Sequence, residues 1–374
     1  MKSRGLSTPL KALVLALVIV TASVAIVLME RGAVSRPQGI TQITKPWLDQ
    51  QLVAWKPSKN GSLIFGAFFQ QASYGNLEYA YNDMAVQQAD LRMLLATGVS
   101  CIRIDIGYAP WLQGNQTAIN EMSALVSDIR EAGKCLVIAD AASETYRNGH
   151  QIPWTQFQQA WIQRVRTLAS LYHPDYYIVV KEPGWYVALV SDSRSNPQFL
   201  NATVWLNLTD ALASAVLSVS PATKVGVSVA ASSIAGANSR FYDAYLAGVS
   251  QSKYVSFVGF DIYDVTGFLS TQGYLESYGV GNKAIWIAEA WSGDGPTVFN
   301  ASRAQLDSEW LLALYYFAQM IHAEAVMPFY TNLFASYSLE GNLANSSETV
   351  SLFQQRTPAF YEFRGIISSA NATS

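Results

Sequence analysis

Eight short runs rich in β-branched and aromatic residues recur between residues 63 and 331, and a longer stretch with helical spacing follows each of them. The runs lie at 63–69, 99–106, 135–140, 176–182, 224–230, 254–263, 284–289 and 325–331. The helical stretches lie at 83–97, 118–132, 155–171, 203–219, 239–249, 272–278, 303–321 and 359–367. Crossovers of this length predict parallel strands. Several runs are apolar without interruption, as happens where both faces of a sheet are covered. Eight such units, with no Gly-rich phosphate or dinucleotide loop after the first strand, predict a single closed (β/α)8 TIM barrel of the α/β class rather than an open doubly wound sheet. The expected organisation is a membrane or signal segment over 1–35, a lead-in over 36–60 and the barrel over 61–374. In the lead-in, Trp47 and Trp55 are expected to pack on the barrel base.

Lys2, Arg4 and Lys11 precede an uncharged apolar run from Ala12 to Met29, close to the roughly 20 residues that cross a bilayer as a helix. A signal anchor and a signal peptide cleaved near Ala33 and Ser35 both fit. Either leaves the positive flank inside and exports everything after Glu30, so the barrel is expected outside the cell, with the membrane as a partner if the run is uncleaved. Asn60, Asn115, Asn201, Asn207, Asn300, Asn345 and Asn371 each open an N-x-Ser/Thr sequon. Chance supplies roughly two or three, and the excess suits an exported glycoprotein. Cys101 and Cys135 fall in neighbouring strands, where a disulfide and two buried thiols are both open.

Only 14% of residues are charged and the net charge is −3, while 12% are aromatic. This excludes a basic nucleic-acid binder and a disordered chain, and the aromatic supply suits a sugar-binding protein. The three histidines, His150, His173 and His322, are not paired at ligand spacing, so no metal and no cofactor is expected.

Active-site groups of such barrels project from the C-terminal ends of the strands. Those ends are polar here: Arg103-Ile-Asp105 on strand two, Asp140 on strand three, Lys181-Glu182-Pro183 on strand four, Asp261-Ile-Tyr263 on strand six and Glu289 on strand seven. Strict alternation places Glu182 on a face with Ile178 and Val180, and Glu289 with Ile285 and Ile287, each carboxylate crowning the apolar interior. Two carboxyls across a cleft are the equipment for cleaving a glycosidic bond, one ionised and one protonated. Trp111, Trp154, Trp185 and Trp291 follow strand ends two, three, four and seven, where their faces can stack on sugar rings.

The stretches Val-Val-Lys181-Glu182-Pro183, Trp-Ile-Ala-Glu289 and Gly98-Val-Ser-Cys-Ile-Arg103-Ile resemble the retaining glycoside hydrolases of clan A, nearest the family 5 cellulase and mannanase type. The resemblance covers about residues 61–337. It implies Glu182 as acid/base, Glu289 as nucleophile, and Arg103 and Tyr263 as supports of the nucleophile. It also implies a β-linked oligo- or polysaccharide as substrate, with Asp140, Lys181, Asp261 and Tyr330 beside the tryptophans in the binding set. Three positions depart from the family pattern. Lys181 stands where asparagine binds the sugar 2-hydroxyl, Asp261 stands where histidine precedes Ile-Tyr, and Phe329 and Tyr330 occupy the region of the strand-eight tryptophan.

The expected reaction is double displacement with retained configuration, which needs the two carboxyls about 5–5.5 Å apart. Beside Glu182, the Lys181 ammonium favours the carboxylate and works against an acid role unless it swings away or pairs with Asp140 or Asp261, and a Schiff-base role for it is a rival. A surface protein that binds glycans without cutting them, on a degenerate barrel, is the alternative from another class.

Overall fold

The computed structural model describes residues 45–55, 63–69, 84–107, 116–141, 154–183, 201–291, 301–329, 334–335, 351 and 354–373. Eight parallel strands close into a barrel in sequence order: β1 Ile64–Phe68, β2 Cys101–Gly107, β3 Cys135–Ala141, β4 Tyr176–Lys181, β5 Lys224–Ala230, β6 Phe257–Ile262, β7 Ala284–Ala290 and β8 Ala325–Pro328. Pairing of Ile64 with Ala325 joins β1 to β8 and shuts the ring. Each expected strand is present to within a few residues.

The helices are α1 Lys45–Ala54, α2 Met84–Ala96, α3 Gln116–Glu131, α4 Trp154–Tyr172, α5 Ala202–Leu217, α6 Ala231–Ile234, α7 Ser239–Gln251, α8 Val265–Ser277, α9 Ala301–Met320 and α10 Pro358–Thr373. Five of them stop on a left-handed residue just before a strand: Gly98, Gly133, His173, Gly279 and His322. Such a residue ends a helix by turning its last carbonyls away from the helical path, so two of the three histidines serve as backbone caps. Helix α8 starts at Val265, well before the expected 272, because Asp264 caps it by accepting from the Gly267 N–H at 2.6 Å. Gly267 and Gly273 blur its apolar period in the sequence. Helix α10 outruns 367 because its last turns, Ser-Ser-Ala-Asn-Ala-Thr, carry no apolar stripe to announce them.

Two cores result. The larger lies between strands and helices and contains Trp161, Trp205 and Trp310, all buried. Trp47 and Trp55 join it, with Trp55 4.9 Å from Phe317 on α9 and 5.2 Å from Phe268 on α8, so α1 packs on the helix layer. The smaller fills the barrel interior with Cys101, Val137, Ala139, Ile178, Phe257, Trp286, Ala288, Ala325 and Met327. There the Phe257 ring lies 4.1 Å from Trp286 at an interplanar angle of 20°. Gly226 makes room for it, since a Cβ at that position would sit 2.3 Å from the Phe257 ring. Cys101 and Cys135 are direct partners across β2 and β3, both facing the interior, and they form a disulfide with Cα atoms 4.5 Å apart. This decides between the disulfide and the two free thiols.

The apolar run from Ala12 to Met29 lies outside the described residues. Among the described residues no helix is long and apolar enough to cross a membrane.

Candidate active site

Residues two apart on a strand share a face, and on β2 this sends Arg103 and Asp105 into the barrel above Cys101. Asp105 accepts from Arg103 through both oxygens, Oδ1 from Nε at 2.7 Å and Oδ2 from Nη2 at 3.0 Å. The resemblance to clan A implies no role for Asp105, although the Arg-x-Asp spacing places it on the face of Arg103.

Alternation alone puts Glu289 on the wrong face. Ala284, Trp286 and Ala288 of β7 line the interior, whereas Ile287 packs on the helix side. The registers jump from Phe260↔Ile287 to Asp261↔Glu289 on one flank and from Ile287↔Val326 to Ala290↔Pro328 on the other. Strand β7 therefore carries one residue more than both neighbours, a β-bulge, which re-aims the side chains beyond it. The bulge returns Glu289 to the mouth and presents the Ala288 carbonyl to Arg103 Nη1 at 2.5 Å. A second shift, between Ile178 and Val180, faces Lys181 inward opposite Ser228. Glu182 follows with φ of +47°, the left-handed region, and its N–H donates to the Ser228 carbonyl at 2.8 Å. Holding a glutamate there costs about 1–3 kcal/mol, a strain typical of functional positions. The expected pairings of Glu289 with Ile285 and Ile287, and of Glu182 with Val180, are thus corrected by two bulges and one strained residue.

Three donors converge on Glu289. Oε1 accepts from Arg103 Nη2 and from Lys181 Nζ at 2.8 Å, and Oε2 accepts from the Tyr263 hydroxyl. Lys181 Nζ also reaches Asp105 Oδ2 at 2.9 Å. Lys181 thus turns to Asp105 and Glu289, not to Asp140 or Asp261, because its bulge aims it across the barrel axis. Arg103 and Lys181 together match Asp105 and Glu289, two charges of each sign, all buried. Burial works to raise the Glu289 pKa, but the Lys181 and Arg103 charges, with hydrogen bonds from Lys181 and Tyr263, outweigh it and hold the group below its usual value. Burial likewise opposes the Arg103 charge, which Asp105 and Glu289 more than restore. Phe68 underlies the cations, its ring centroid 5.0 Å from Arg103 Cζ, and Phe329 lies 5.9 Å from Lys181 Nζ.

Asp261 sits opposite Glu289 across β6 and β7, and its Oδ2 accepts from Ser228 Oγ at 2.8 Å. Burial, then the charges of Glu289 and Glu182, push its pKa well above the ordinary value. A carboxyl oxygen of each of Glu182, Asp261 and Glu289 lies within 4.8 Å of the other two. Such a trio could span a cation, yet calcium takes six to eight oxygens, and Glu289 is already matched by two cationic side chains.

The other expected site residues lie elsewhere. Asp140 pairs with Arg164 of α4 and accepts from the Tyr177 hydroxyl at 3.2 Å, on the helix side of β3. Trp154 packs on Phe157 and Trp205, 5.7 and 5.6 Å away, within the helix layer. Trp291 is buried between Trp310 and Phe334, at 6.0 and 5.9 Å. A position after a strand end fixes where a side chain starts but not where it points. Trp111, Trp185 and Tyr330 lie outside the described residues.

No protein-family model matches the chain, and no curated protein sequence matches it. Among solved structures, the barrel is similar to the exo-β-1,4-mannosidase Op5Man5 from Opitutaceae bacterium strain TAV5, with a TM-score of 0.61 at 10% identity over 83% of this chain. The match spans 60% of the mannosidase's length. It is also similar to a family 1 β-glucosidase from Thermotoga maritima, with a TM-score of 0.51 at 12% identity, covering 73% of this chain and 89% of the glucosidase. At such identity the likeness is one of fold, and it meets the resemblance carried by the strand-end motifs: this chain folds as the closed eight-stranded parallel barrel on which those glycoside hydrolases are built.

Proposed function

We propose that the protein is a glycoside hydrolase acting on β-linked glycans with retention of configuration, with Glu289 as nucleophile and Glu182 as acid/base. One observation carries this: carboxyl oxygens of Glu182 and Glu289 lie within 4.8 Å of each other at the barrel mouth. This upper bound, taken between one oxygen of each, favours the narrow retaining gap of about 5–5.5 Å between carboxyl groups over the inverting gap of about 6.5–9.5 Å, which must admit a water. Glu289 attacks the anomeric carbon while Glu182 gives its proton to the departing oxygen. Water then loses a proton to Glu182, attacks the same carbon and releases Glu289 as carboxylate. Forming the ester removes one negative charge from a cluster balanced at two and two, so a net positive charge remains beside Glu182. That charge favours the carboxylate Glu182 has become and prepares it to take the proton of water. The Lys181 ammonium, held between two carboxylates, is ill placed to supply the free amine a Schiff base needs.

Export belongs to the same proposal. Asn201, Asn207 and Asn371 of the sequons are solvent-exposed, and the Cys101–Cys135 disulfide suits an oxidising compartment.

Glu289→Ala should abolish hydrolysis of aryl β-glycosides with folding intact by circular dichroism, and the first-formed sugar should keep the β-anomer by NMR. Turnover in the alanine variant, or an inverted first product, would overturn the assignment. A screen against β-glucan, mannan, galactan and xylan identifies the polymer. Binding to one of them with no turnover would favour the glycan-binding alternative.

A further inference from the structure

Asp261 has a charge environment unlike that of Glu289. Arg103 and Lys181 are engaged with Asp105 and Glu289, and the only hydrogen bond to Asp261 among the described residues comes from the neutral Ser228 hydroxyl. The groups facing Asp261 are Glu289 from β7, Glu182 after β4, and the cations Arg103 and Lys181 beyond them. Three carboxyls so close cannot all ionise, and a proton goes to the one with least compensation. The Ser228 hydroxyl donates to Oδ2, which leaves Oδ1 to carry that proton, and Oδ1 is buried with no hydrogen-bond partner among the described residues. Oxygens of Glu182 and Asp261 no more than 4.8 Å apart can both reach one oxygen atom lying between them at an ordinary O–H···O length of about 2.8 Å. Glu289, at the third corner, is left for the anomeric carbon.

We infer that Asp261 is a third working carboxyl, a neutral acid that donates a hydrogen bond from Oδ1 to the glycosidic oxygen as it departs. This rests on the hydrolase reading above. The departing oxygen has two lone pairs: Glu182 protonates one, and Asp261 hydrogen-bonds to the other without giving up its proton. Charge builds on that oxygen only as the C–O bond breaks, so the bond from Asp261 strengthens in the transition state. A good leaving group builds little demand for it, and a poor one builds a large demand.

The test compares phenyl and 2,4-dinitrophenyl β-glycosides of glucose and mannose with the full-length wild type, Asp261→Ala, Asp261→Asn and Glu289→Ala. Asp261→Ala should lower kcat/KM on the phenyl substrate by about 10–100-fold, the range for a hydrogen bond to a charged group, and by less than about threefold on the dinitrophenyl one. Asp261→Asn, whose amide still donates, should recover most of the phenyl activity. Its alkaline limb should titrate as one ionisation where the wild type shows two. A structural defect would lower both substrates alike. Equal losses on the two substrates, or an asparagine variant as impaired as the alanine one with an unchanged alkaline limb, would overturn the inference while leaving the hydrolase reading intact. Full activity in Glu289→Ala would overturn both.

Discussion

Lys181→Met removes one of the two cations in the buried cluster and leaves Arg103 facing both Asp105 and Glu289. The lost contacts include Nζ to Asp105 at 2.9 Å and to Glu289 at 2.8 Å, in a side chain only 2% exposed. Breaking a buried ion pair by deleting one partner costs about 3–5 kcal/mol, because the remaining charge is uncompensated. That is a large part of a typical 5–15 kcal/mol stability, and at about 2 °C per kcal/mol for a large domain it lowers Tm by about 6–10 °C. Adding Asp105→Asn leaves Arg103 with Glu289 alone, so the double variant should be more stable than Lys181→Met. The sign with pH follows from Glu289. Its folded pKa is depressed, so its contribution to stability is present above the unfolded carboxylate value and lost as pH falls through the folded one. The Lys181→Met deficit should therefore be largest near neutrality and shrink in acid, and the acid limb of kcat/KM should move to higher pH as Glu289 loses one of its two cations. Denaturant melts at pH 7 and pH 4, with a pH–rate profile, read all of this. A variant within about 1 kcal/mol of wild type at pH 7, or a deficit unchanged in acid, would refute the charge accounting.

Replacing Cys101 and Cys135 by alanine opens a loop with a sequence separation of 34, which chain-entropy arguments value at about 4 kcal/mol. Reduced and oxidised wild type should differ by a similar amount in guanidinium melts, and no difference would argue against the bridge. Gly226→Ala drives a methyl group into the Phe257 ring and should cost about 1–3 kcal/mol by overpacking. Phe257→Leu in the same chain should recover part of this loss, while a neutral Gly226→Ala would contradict the packing described for the interior.

The barrel was legible because parallel strands buried on both faces read as continuous apolar runs, and such runs stand out between helices of ordinary length. The facing of the site residues was less so. A bulge has no composition of its own: nothing in Ile-Trp-Ile-Ala-Glu289 says that Ala288 is surplus to the ladder, and alternation counted through it groups the inward Glu289 with Ile285 and Ile287, which face the helices. Asp105 could have been placed from its spacing to Arg103. Ser228, by contrast, acquires meaning only once β5 stands beside β6. The tryptophans misled for a different reason. Trp154 and Trp291 begin near the mouth, but their indoles are drawn back into the helix layer, where they bury more apolar surface than a rim position allows.

The extra residue in β7 makes the chemistry sensitive to counting rather than to identity. Excising Ala288 would leave every side chain of the proposed site in the polymer, with its composition almost untouched, yet it would realign the end of the strand with both neighbours and rotate Glu289 out among the helices. The geometry of the carboxyl cluster is thus stored in an integer, and a single in-frame codon loss would erase it where many substitutions in the same strand would not.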